Sequence, residues 1–82
     1  MINRLLTRDD GYYYLKKINP ITNKYYKQGK RYRDLKAIAH FIRNYNDIEQ
    51  VILSYDNLIN HKIISKLEET LYNKANFELR KR

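Results

Sequence analysis

Asp47-Ile48-Glu49-Gln50-Val51-Ile52-Leu53-Ser54-Tyr55-Asp56 is the stretch on which the fold turns. Taken at a helical period, Ile48, Val51, Ile52, Tyr55, Leu58 and Ile59 form one face, and Asp47 with Gln50 resembles a capping box. Taken at a strand period, Val51 to Tyr55 is a compact apolar run, and Asp56-Asn57 opens the next helix. The helical reading makes the chain a hairpin followed by helices only. The strand reading makes it a small two-layer α+β domain. The strand is preferred, because it leaves the next helix a clean N-cap and gives the sheet enough area to cover. A two-stranded hairpin alone is marginal in water.

Downstream, Leu58 to Tyr72 reads as a helix. Ile59, Ile63, Leu67 and Leu71 step by four, with Ile64 and Tyr72 widening the stripe. Lys66 and Glu69 sit opposite, at a spacing that lets them pair. Ala75 to Leu79 alternates Phe77 and Leu79 against Asn76 and Glu78, as in a strand. Arg80-Lys81-Arg82 follows as a basic tail. Upstream, Leu35, Ile38, Ala39, Ile42 and Tyr45 recur at helical spacing from Asp34, a suitable N-cap, and Asn44 and Asn46 suit the C-terminal end.

Two aromatic runs precede that helix. Tyr12 to Ile18 and Lys24 to Arg33 flank Asn19-Pro20-Ile21-Thr22-Asn23, a strong loop signal. Together they read as a β-hairpin, with Gly29 marking a bulge. Asp9-Asp10-Gly11 reads as a turn, and residues 1–9 as a short, frayed lead-in. The expected order is ββαβαβ, with helices packed on one face of the sheet and no internal repeat or linker.

Eighty-two residues without cysteine make one domain with no disulfide or cysteine-based metal site. Leu5-Leu6 is too short for a secretory h-region or a membrane span, so a soluble, cytoplasmic protein is expected. Ile, Lys, Asn and Tyr dominate, and their A/T-rich codons point to an AT-rich genome, such as a low-GC bacterium, its phage or a plasmid.

The charge is uneven. Residues 1–33 carry nine Lys or Arg against two Asp, a net of +7 within a whole-chain +8. That segment also holds six of the nine tyrosines. Residues 34–72 are net −2 and residues 73–82 net +3. Basic groups interleaved with aromatic rings suit nucleic acid, since each phosphate neutralised releases counterions and each ring offers a base a stacking surface. In the hairpin, Tyr12, Tyr14 and Lys16 share one face, while Tyr13, Leu15 and Lys17 share the other. One face should cover the core and the other meet solvent. Lys16, Lys17, Lys24, Lys27, Lys30, Arg31 and Arg33 are the candidate phosphate contacts, and Tyr14, Tyr25 and Tyr26 the candidate stacking rings. The competing explanation is a solvated hairpin whose lysines guard a sheet edge against aggregation. Tyr45, Tyr55 and Tyr72 fall on apolar faces and read as structural.

His40 reads as a partly buried packing residue and His61 as an exposed one. Neither has metal-ligand spacing, and no cofactor is expected. Ser54 and Ser65 lie in no nucleophile motif, and no glycine-rich loop cradles a phosphate. The acids read as caps and solvated helix charges, so no enzyme is expected. The loop Asn19-Pro20-Ile21-Thr22-Asn23-Lys24 and the segment Gly29 to Ala37 resemble the small arm-binding modules of tyrosine recombinases, which also pair a basic sheet with a following helix. The resemblance covers under half the chain and includes no specific motif.

Two functions remain in view. The first is a small, non-enzymatic nucleic-acid-binding protein that grips the phosphate backbone. The second is a phage-type inhibitor or adaptor, of the anti-CRISPR kind, that binds a host protein or ribonucleoprotein complex. Tyr and Arg are also favoured anchors in protein interfaces.

Overall fold

Val51 to Tyr55 is a strand. The computed structural model describes residues 2–44, 50–74 and 76–82. In chain order the elements are β1 (Ile2–Asp9), β2 (Tyr12–Ile18), β3 (Tyr25–Tyr32), α1 (Leu35–Arg43), β4 (Val51–Tyr55), α2 (His61–Leu71) and β5 (Phe77–Lys81). From β2 onward this is the ββαβαβ order expected from the pattern. Met1, Tyr45, Asn46, Asp47, Ile48, Glu49 and Ala75 lie outside the described residues.

The strands form one five-stranded sheet in the order β3-β2-β1-β4-β5. β4 lies parallel to both β1 and β5, with Val51 opposite Ile2 on one side and Phe77 on the other. A parallel strand between two neighbours is buried on both faces. This is why Val51, Ile52 and Leu53 form an unbroken apolar run. The same burial explains why periodicity alone left the segment ambiguous.

Residues 1–9 are not a lead-in. β1 occupies the centre of the sheet, antiparallel to β2 and parallel to β4. Leu5 and Leu6 are both buried, one toward each face. The turn into β2 is Asp10-Gly11, with φ of 52° and 76°. Positive φ at both central residues is the signature of the tight I′ hairpin turn, which matches the twist of the flanking strands.

Both helices cover one face. Leu6, Leu15, Leu53, Ile38, Ile42, Ile64, Leu67 and Leu71 belong to a single core cluster. Asp34 caps α1 by accepting from Ala37 N at 3.0 Å. Asn60 caps α2 by accepting from Lys62 N at 2.7 Å. The second helix therefore starts later than the apolar stripe suggested. Asp56 holds the preceding turn, accepting from Leu58 N at 3.0 Å, and its other carboxylate oxygen accepts from Thr7 Oγ1 at 2.5 Å. Tyr55 packs against the core, as expected. Tyr72 does not: it lies past the end of α2 and is 81% exposed.

The C-terminal basic residues are also not a tail. Arg80 and Lys81 belong to β5, opposite Ser54 and Tyr55. Beyond them, Arg82 donates to Asn23 O at 3.1 Å and lies over the Tyr25 ring. β3 and β5 are opposite edges of the sheet, so this contact requires the sheet to curl. The concave side is the face away from the helices, where Leu5, Ile18 and Ile52 are buried.

Candidate nucleic-acid interface

The β2–β3 hairpin presents its cations on two faces. The register pairs Tyr13 with Tyr32, Tyr14 with Arg31, and Lys16 with Gly29, then shifts between Lys16 and Ile18. Gly29 sits at this irregularity for a steric reason. A Cβ there would come within 2.6 Å of Lys16 Cγ and 2.7 Å of Leu15 O. The close approach keeps the edge strand β3 tight against β2.

Tyr13, Leu15 and Tyr32 face the helices and are buried. The opposite, concave face carries Tyr12, Tyr14 and Lys16 from β2, and Tyr25, Lys27 and Arg31 from β3. Here cations lie on rings. Arg31 is 4.5 Å from the Tyr12 centroid, Lys16 is 5.1 Å from Tyr25, and Arg82 is 5.7 Å from the same ring. A cleft of about 790 Å³ on this face is lined by Thr7, Asp9, Tyr14, Lys16 and Lys27, with Leu58 at its margin.

Lys17, Lys30 and Tyr26 lie on the helix side of the hairpin. They line a second cleft, of about 750 Å³, together with Arg4, Tyr32 and Phe41. Lys24 sits in the tip loop and Arg33 just beyond the other end of β3, both exposed. The ten residues singled out from sequence are therefore not one patch. They divide between two faces, the tip and the far end of a single hairpin.

None of the seven hairpin cations forms an ion pair with another described residue. The Arg80–Glu78 pair, at 2.6 Å, belongs to β5. The Arg80 hydrogen bond is the main reason the Glu78 carboxyl is held below its ordinary value. Burial pushes the Tyr32 phenol above its ordinary value, and the nearby Arg4 partly offsets this.

Several contributors were not legible in the pattern. Arg4 falls in the stretch that reads as a lead-in, although the Asp10-Gly11 hairpin signal is enough to place it on a strand. Tyr12, Tyr32, Phe41 and Arg82 are brought in by register and curl, which need the three-dimensional sheet. His40 is exposed rather than partly buried, and His61 is exposed as expected. Among the described residues, no group of three or more His, Asp or Glu could hold a metal ion. No described helix is long and apolar enough to cross a membrane. The chain matches no known family model, no curated protein and no solved structure.

Proposed function

We propose that this protein binds nucleic acid through the concave face of its curled sheet. The observation that carries the reading is the set of cations held on tyrosine rings there: Arg31 on Tyr12, and Lys16 and Arg82 on Tyr25. A cation resting on a ring is held in place, and the N–H groups it does not spend elsewhere, as Arg82 spends one on Asn23 O, can donate to a phosphate. Lys27 adds a further charge on the same face, and Lys24 adds one at the tip. Recognition on this face is directed at the backbone, because the two described helices cover the opposite face and neither is there to read base edges. With about five phosphate contacts, raising salt from about 50 to 200 mM should weaken binding by roughly two to three decades. Fluorescence anisotropy with single- and double-stranded probes tests this. Absence of binding to both at the lower salt would overturn the reading.

One feature favours the inhibitor or adaptor reading. Ile21 is 92% exposed on a loop locked by Asn19, whose side chain accepts from Ile21 N at 2.9 Å and whose backbone N–H donates to Lys24 O at 2.8 Å. A rigidly presented apolar side chain suits a protein partner. Copurification separates the two readings: the first brings down nucleic acid, the second a protein or ribonucleoprotein complex.

A further inference from the structure

We infer that the cleft on the helix side of the hairpin holds an unpaired nucleotide, so that the protein prefers single-stranded to duplex nucleic acid. This rests on the nucleic-acid reading and adds a second, chemically different subsite to it.

The cleft has a defined construction. It is lined by Leu15, Tyr26, Lys30 and Tyr32 from the hairpin and by Phe41 from across the sheet face. Phe41 comes from α1, whose Ala37, His40, Phe41 and Asn44 recur at helical spacing and line the continuation of the cleft beside Lys30 and Tyr32. The Tyr32 and Phe41 rings meet at 6.4 Å between centroids, tilted by 54°. Tyr26 is 53% exposed, leaving its ring available from solvent. At about 750 Å³ the cleft falls within the range of small-ligand sites, about 300–1,000 Å³.

Its charge is of one sign. Arg4, Lys17 and Lys30 line it, and no Asp or Glu does. The concave face differs in this respect, because Asp9 lines the cleft there. The helix-side cleft therefore joins aromatic surface to cationic groups free of any acid in its wall. A ligand matching both is a planar base carrying a phosphate. A duplex hides its base faces in the stack, whereas a single strand can turn one outward at little cost. β3 is an edge strand, so one polynucleotide can pass from the concave face around that edge into the cleft without threading through the fold.

The test uses the full chain with a fluorescein-labelled oligothymidylate, a DNA duplex of equal length, and the Tyr26→Ala variant. Stacking on an aromatic ring contributes about 5- to 150-fold in affinity per base. Tyr26→Ala should therefore weaken single-strand binding by about tenfold and leave duplex binding unchanged. Tyr26 is exposed, so its loss should leave the melting temperature in place. An oligothymidylate carrying 5-iododeoxyuridine should also crosslink, under near-ultraviolet light, to the peptide containing Tyr26 or the one containing Phe41. Equal affinity for the two probes, equal losses on both, or crosslinks confined to the concave face would overturn the cleft assignment while leaving nucleic-acid binding intact. No binding of either probe would overturn both.

Discussion

Arg31 lies across Tyr12, its guanidinium carbon 4.5 Å from the ring centroid, joining β3 to β2 on the concave face. The pair is diagonal, since the register places Arg31 directly opposite Tyr14. A guanidinium stacks flat and keeps its donor edge outward, which an ammonium cannot do.

If the protein binds nucleic acid as proposed, Arg31→Lys should therefore weaken that binding several-fold although the charge is kept. Arg31→Ala should in addition reduce the slope of log affinity against log salt by about one. Both follow from salt titrations by anisotropy. An Arg31→Lys protein that binds like the parent would show that charge alone matters at this position.

Gly29 gives a steric prediction. A methyl group there collides with backbone, at Leu15 O, as well as with the Lys16 side chain. The side chain can swing away but the carbonyl cannot. Gly29→Ala should destabilise the fold by about 1–3 kcal/mol. Gly11 is the informative comparison, because its added Cβ meets nothing within 4 Å and the cost there comes only from a φ of +76°. That cost is about 1–2 kcal/mol. Urea denaturation of both variants measures the two effects. Gly29→Ala at parental stability would mean that β3 shifts freely along β2.

The limits of the sequence pattern have physical causes. α1 was legible because one polar cap, Asp34, and one apolar stripe agree. The hairpin was legible because two aromatic runs flank a Pro-Asn loop. β1 was not, because a central strand buried on both faces lacks alternation, and Leu5-Leu6 is too short a run to stand out. The start of α2 was misplaced because Ile59 is buried in the turn before the helix and extends the apolar stripe backward. In the candidate site, alternation correctly separated Tyr12, Tyr14 and Lys16 from Tyr13, Leu15 and Lys17. It could not show that the curl brings Arg82 to Tyr25, or that Phe41 and Tyr26 line one cleft.

Tyr32 ties stability to alkaline pH. Burial raises its folded-state pKa above the ordinary 10.0, outweighing the opposing effect of Arg4. The unfolded chain therefore loses this proton first. The stability Tyr32 contributes is complete below 10.0 and is lost as pH climbs from there toward the raised folded value. As pH rises above 10.0, the urea midpoint of the parent should fall more steeply than that of Tyr32→Phe. Parallel curves for the two proteins would show that the phenol is as well solvated folded as unfolded.

The central position of β1 yields the prediction that most directly tests the fold. Leu6 is 0% exposed and belongs to the same core cluster as Leu67, which is 1% exposed on α2. Leu6→Ala and Leu67→Ala should each cost about 2–5 kcal/mol, through lost burial and the cavity left behind. That is a large share of the roughly 5–15 kcal/mol available to a natural domain. Lys66→Ala, on the exposed face beside Leu67, should stay within about 0.5 kcal/mol. The three variants read different parts of one argument by thermal or urea melting. A silent Lys66→Ala with a costly Leu67→Ala places α2 on the sheet. A costly Leu6→Ala places the N-terminal strand beneath it. If Leu6→Ala melted with the parent, β1 would not be the strand joining the basic hairpin to β4. The sheet would then divide, and the curl that brings Arg82 to Tyr25 would have no support.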